Sequence, residues 1–225
     1  LLTALLIGNS STAALALAEK VGGSEKSFVE KMKQKLSEWG IQSPHLINAT
    51  GLNTQTISGD PDGKGDENQL SAYDIAVIAK HLLQDFPEVT KYTSKPTALF
   101  SNTQIENPNL MLEGMPNYRS GVDGLRVSNS TKGGITFAAS TTQNGIHMIT
   151  VVLGVEAVDG DPYARFVATS SLMNYVVRTF VSSIVVKEGD PYGKSKATVM
   201  DGKSETVLAV AKKDFYIVEK QGSQA

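Results

Sequence analysis

Cysteine is absent from the 225 residues, which removes disulfides, thiolate nucleophiles and zinc–thiolate sites together. A surplus of either charge is missing too. The 21 Lys+Arg stand against 23 Asp+Glu, a net charge of −2, so nucleic acid is not an expected partner and no acidic tail is present. No glycine-rich phosphate loop follows a strand pattern, and no repeat or low-complexity tract interrupts the chain. The three histidines, His45, His81 and His147, lie far apart with no His or acid at ligand spacing. Packing or surface roles are expected for them, with no metal site and no cofactor.

Two apolar runs, Leu1 to Ile7 and Ala13 to Ala18, resemble the core of a secretory signal in composition alone. No basic segment leads them, Gly8-Asn9-Ser10-Ser11 separates them, and Glu19-Lys20 follows at once. They are read as the inside of a folded domain whose true N-terminus lies upstream.

What is present is a globular balance, 40% hydrophobic and 20% charged, sufficient for one domain and part of another. The pattern predicts helices over 12–21, 25–39 and 71–84. In the second, Phe28, Met32, Leu36 and Trp39 recur at three-to-four spacing before Gly40, and in the third Ala72, Ile75, Ile78, Ala79 and Leu82 share a face. From Thr97 the period changes to two, with strands at 98–100, 122–127, 135–140 and 147–154, and Gln143-Asn144-Gly145-Ile146 as a hairpin turn. Asp161-Pro162 opens a long helix through Phe180, carrying Phe166, Ala168, Leu172, Tyr175, Val176 and Thr179 toward a sheet. Four further strands follow Ser183, which places a domain boundary near Ser182. The acidic stretch Asp60 to Asp66 has Ser71 where a calcium loop needs its twelfth-position Glu, so a solvated turn is expected. Met111, Met115, Met148 and Met173 read as core.

Five phrases occur in an order that carries more information than any of them alone. They are Ser11-Thr-Ala-Ala-Leu-Ala-Leu-Ala-Glu19, Ile47-Asn-Ala-Thr-Gly-Leu-Asn53, Leu70-Ser-Ala-Tyr-Asp-Ile-Ala76, Val122-Asp-Gly-Leu125 and Pro162-Tyr-Ala-Arg-Phe166. In these the chain resembles the serine D-alanyl-D-alanine carboxypeptidases, the low-molecular-mass penicillin-binding proteins, above all members from streptococci and related Gram-positive bacteria. The resemblance implies an α/β (α+β) fold. Residues 1–182 would form a partial DD-peptidase domain, with a helical subdomain and an antiparallel sheet, and 183–225 would begin a β-rich C-terminal domain.

The family's acyl-enzyme chemistry needs a nucleophilic serine, a proton relay, an oxyanion hole and a cation for the substrate carboxylate. It supplies them through Ser-x-x-Lys, Ser-x-Asn and Lys-Thr-Gly. No serine of this chain has a lysine three residues on, so the resemblance puts the nucleophile upstream. Ser-x-Asn falls by register on Asn9-Ser10-Ser11, which places Asn9 and Ser11 at the catalytic positions. An amide cannot shuttle a proton as a hydroxyl can, and the bland alternative is that these three only cap a helix. Lys-Thr-Gly falls on Arg126-Val127-Ser128. There Arg126 keeps the cation, Val127 loses a hydroxyl, Ser128 adds a side chain, and Asn129 would give the second oxyanion N–H. Lys132-Gly133-Gly134 stands out of register and reads as a turn.

The resemblance thus implies a carboxypeptidase acting on peptidoglycan stem peptides ending in D-Ala-D-Ala, with β-lactams as possible ligands. Its place would be the outer face of the cell membrane, with signal and C-terminal anchor outside the chain. The alternatives are a degenerate homologue that binds wall peptide or a partner without turnover and, less favoured, a β-lactamase.

Overall fold

A computed structural model describes residues 1–59, 65–130, 133–156 and 160–222. Residues 60–64 of the acidic turn, and Lys132, lie outside the described residues. The chain divides into two compact units, one of Leu1–Thr142 with His147–Met173, the other of Gln143–Ile146 with Asn174 onward.

The first unit opens with helices α1 (Leu2–Leu6), α2 (Ser11–Gly22) and α3 (Glu25–Glu38). Ser24 caps α3 by accepting a hydrogen bond from the Ser27 amide, and Val29 and Leu36, seven residues apart, fall on one buried stripe. That stripe packs with Ile41 and Leu46, and Met32, Trp39, Leu70, Val77 and Ile78 close over it. Val29, not Phe28, therefore anchors this face, since Phe28 is only half-buried. After the short α4 (Thr54–Ser58), α5 spans Ala72–Asp85. Its start is a capping box in which the Ser71 side chain accepts from the Asp74 amide while Asp74 accepts from the Ser71 amide. Trp39 and His81 stack in parallel with ring centroids 4.6 Å apart, joining α3 to α5.

A 3₁₀ turn at Pro87–Val89 and the short α6 (Thr90–Thr93) lead to a hairpin of β1 (Thr97–Phe100) and β2 (Thr103–Glu106). The main sheet follows as β3 (Val122–Ser130), β4 (Gly134–Gln143) and β5 (Ile146–Val155), in the order β3-β4-β5. Asn144 (φ 52°) and Gly145 (φ 74°) turn β4 into β5 in the left-handed pair a tight hairpin requires. Along β4, Phe137 and Ala139 are buried, and Phe166 of α7 (Ala164–Thr179) meets Phe137 edge-on at 5.4 Å. Asp161 accepts a hydrogen bond from the Tyr163 amide ahead of α7. The buried stripe of α7 is Arg165, Phe166, Thr169 and Met173, whereas Leu172 and Tyr175 of the expected face are exposed. Four to three spacing from Phe166, not the wider apolar set, selects the inward positions. Met111, Met148 and Met173 are core residues as expected, whereas Met115 is only half-buried.

In the second unit, β6 (Phe180–Val186) pairs with β9 (Phe215–Lys220) and β7 (Pro191–Thr198) with β8 (Thr206–Val210), both antiparallel. Phe180 opens β6 and does not end α7. The mixture of helices with antiparallel sheets is the α+β architecture the resemblance implied.

Candidate active site

Strand β3 carries the residues of interest along one edge of the main sheet. Its entry is tightly determined. Thr93 Oγ1 donates to the Asp123 carbonyl at 2.8 Å, and the Ser140 hydroxyl donates to Asp123 Oδ1 at 2.5 Å. The glycine of Val122-Asp-Gly-Leu125 follows from this crowding, because a Cβ on Gly124 would come within 2.5 Å of Thr93 Oγ1. His147, distant in sequence from any acid, has Nε2 3.2 Å from Ser140 Oγ. His45 likewise meets Asp66 at 2.7 Å, a partner that only folding brings near. Among the described residues no group of three or more His, Cys, Asp or Glu is placed to hold a metal ion.

Beyond Gly124 the contacts reach far along the chain. Arg126 Nη1 donates to the Leu5 carbonyl at 2.7 Å, and burial lowers the pKa of its guanidinium. Val127 is buried, and its carbonyl accepts from Asn9 Nδ2 at 3.0 Å, across 118 positions. Asn9 sits between α1 and α2 at φ 52°, the left-handed region that Asn enters more readily than most residues. Ser10 alone of the three polar residues is the cap, accepting from the Ala13 amide at 3.2 Å. Ser11 is the first residue of α2 and half-buried.

Ser128 and Asn129 are exposed but anchored by a residue whose part in the site the sequence reading did not see. Arg165, 7% exposed on the buried stripe of α7, donates from Nη1 to the carbonyls of Ser128 (2.8 Å) and Thr136 (3.0 Å) and from Nη2 to Asn129 Oδ1 (2.5 Å). Burial lowers its pKa as well. Its signal in the sequence was a cation on an otherwise apolar stripe, next to Phe166.

Two cavities flank the strand. The smaller, about 370 Å³, brings together Asn9, Val127, Ser128, Asn129 and Arg165. The larger, about 530 Å³, is lined by Arg126 and Ser128 together with Glu67, Ser130 and Thr136. Ser11 lines neither. Cations and amide donors thus face both sides of an exposed strand edge, an arrangement suited to an anionic, peptide-like ligand.

A family model described as D-alanyl-D-alanine carboxypeptidase matches residues 1–157. The chain belongs to the D-alanyl-D-alanine carboxypeptidase family. The carboxypeptidase DacA of Haemophilus influenzae is 27% identical over 223 residues, 98% of this chain and 51% of that protein. A solved structure described as a peptidoglycan synthesis regulatory factor (PBP3) from Streptococcus pneumoniae superposes with a TM-score of 0.88 at 48% identity, covering 99% of this chain and 63% of the other. Penicillin-binding protein D2 of Listeria monocytogenes, solved with ampicillin bound, has a TM-score of 0.63 at 25% identity over 76% of this chain and 64% of its own. The chain spans about half the length of the DacA carboxypeptidase. The five phrases had pointed to this carboxypeptidase family, and the streptococcal likeness agrees with them.

Proposed function

We propose that the protein acts as a D-alanyl-D-alanine carboxypeptidase homologue on peptidoglycan pentapeptide ends, through a serine acyl-enzyme whose nucleophile is not among these residues. The single observation that carries this reading is the hydrogen bond from Asn9 to the Val127 carbonyl. In this reading it joins the Ser-x-Asn position, in the loop between α1 and α2, to the Lys-Thr-Gly position on β3. Arg126 then attracts the terminal carboxylate of the stem peptide, the Asn129 amide supplies an oxyanion donor, and Asn9 borders the scissile peptide, while Ser11, which lines neither cavity, has no contact with it. β-Lactams, held by the ampicillin-bound Listeria protein, are the natural probes. The work belongs on the outer face of the cell membrane, where peptidoglycan lies. No described helix is long and apolar enough to cross a membrane.

A second reading has its own support. Asn9 offers an amide where a proton relay is needed, and that amide is engaged by Val127 O. Val127 has no hydroxyl for a carboxylate. Loss of a proton relay costs about two to four orders of magnitude in rate and leaves binding standing, so the protein would bind wall peptide without turnover.

Labelling of the full-length protein with a fluorescent penicillin separates the two. Labelling of the unaltered protein supports turnover. No labelling, recovered when Asn9→Ser and Ser11→Asn are combined with Arg126→Lys, Val127→Thr and Ser128→Gly, supports the degenerate binder. Failure of both proteins to label or to bind a D-Ala-D-Ala peptide overturns both readings.

A further inference from the structure

Glu67 is 2% exposed, and an ionised carboxylate in such a place is costly unless it is held by hydrogen bonds. Its Oε1 accepts the Ser130 hydroxyl at 3.2 Å, and Ser130 Oγ in turn accepts the Gly133 amide at 2.5 Å. The chain carboxylate–hydroxyl–amide therefore crosses from residue 67 to the outer end of the β3–β4 ladder, whose last pair is Ser130 with Gly134.

The segment behind Glu67 is fixed in place. Asp66 exchanges two bonds with Thr54, each 2.8 Å, and the Glu67 amide donates to Asp66 Oδ1 at 2.9 Å. Asn68 Oδ1 accepts the Ile47 amide at 2.8 Å, and the Gln69 amide donates to the His45 carbonyl at 2.8 Å. Gly65 lies so close to Asn53 that an added Cβ would overlap its side-chain oxygen. A carboxylate on so rigid a mount sets the position of what it binds, and does not follow it.

Strand pleating puts Arg126, Ser128 and Ser130 on one face of β3 and Val127 and Asn129 on the other. Arg165 grips Asn129 from the second face, and Glu67 grips Ser130 from the first. We infer that Glu67 is a positioning residue: with Arg165 opposite, it clamps the end of β3 and so fixes Arg126 to Asn129 in their binding geometry. The part about binding rests on the function proposed above; the part about the strand does not.

The test uses the full-length protein and four variants, Glu67→Ala, Glu67→Gln, Ser130→Ala and the double variant Glu67→Ala with Ser130→Ala. Two quantities are measured, amide hydrogen exchange along β3 and the dissociation constant for a peptide ending in D-Ala-D-Ala. With Glu67→Ala, exchange at residues 128–130 should rise about tenfold while residues 123–125 stay as they were, and the dissociation constant should rise by a similar factor. Glu67→Gln keeps an acceptor for the Ser130 hydroxyl and should restore both values to within about threefold. Ser130→Ala should match Glu67→Ala, and the double variant should be no worse than either, since the two groups act through one bond. Unchanged exchange at 128–130, or a uniform rise that includes 123–125, overturns the inference. If the unaltered protein binds no such peptide, the proposed function fails, and the exchange data alone still decide the role of Glu67.

Discussion

At its start, β3 is fixed by residues a short way along the chain: Thr93, Asn109 and Ser140 lie 30, 15 and 17 positions from the groups they bond. At its outer end the same strand is fixed by Asn9, Arg165 and Glu67, at 118, 37 and 63 positions. The donors at the start are two hydroxyls and an amide, the usual means of satisfying buried backbone. The groups at the end include a guanidinium that donates and a carboxylate that accepts, both of which proteins bury rarely. Both halves pair with β4, but the two cavities lie beside the outer one.

The most severe way to erase this contrast is to remove the floor that both halves share. Phe137 is 1% exposed and packs edge-on against Phe166. Phe137→Ala should cost about 3–5 kcal/mol in urea unfolding and loosen the whole strand. Arg165→Ala should cost somewhat less, about 2–4 kcal/mol, because it removes three charge-assisted bonds, to the carbonyls of Ser128 and Thr136 and to the Asn129 oxygen. Unlike Phe137→Ala, it should raise hydrogen exchange chiefly at residues 128–130. Ser140→Ala acts at the other end, removing the bond to Asp123 for about 1–2 kcal/mol. It should leave penicillin or peptide binding as in the unaltered protein, and a matching loss of binding would show that the two halves are not separable. The smallest effect belongs to His147→Ala. That ring is exposed and meets a serine whose hydroxyl proton already goes to Asp123, so the cost should stay under about 1 kcal/mol in the same unfolding measurement.

Much of the scaffold was legible because its causes are local. The capping pair Ser71 and Asp74, the Asn144-Gly145 turn and the alternation along β5 are each read within a few residues. The family likeness was legible for a related reason, since five short phrases keep their order. Errors arose where two apolar sets competed for one face. Phe28 yielded to Val29, and Leu172 and Tyr175 yielded to Thr169 and Met173, because neighbouring elements, not period alone, decide which side of a helix is covered. Glu67 drew no expectation, and Arg165 figured only within the phrase Pro162-Tyr-Ala-Arg-Phe166, with no role in the site. Arg165 had only the weak sign of a cation beside Phe166 and Glu67 had none, and the hydroxyl and carbonyls that make their burial tolerable lie 63, 37 and 29 positions away.

The amino-acid sequence by itself determined the longer helices, the strands of the main sheet, the Asn144-Gly145 turn and the family, all of which follow from side-chain chemistry and short-range spacing. Only the tertiary structure decided that Ser10 and not Asn9 caps α2, that Asn9 reaches Val127, and that Arg126 and Asn129 line different cavities on either side of β3. Those outcomes depend on which strand edge meets which helix end, and hydrogen bonds between groups more than a hundred residues apart have no counterpart in local sequence.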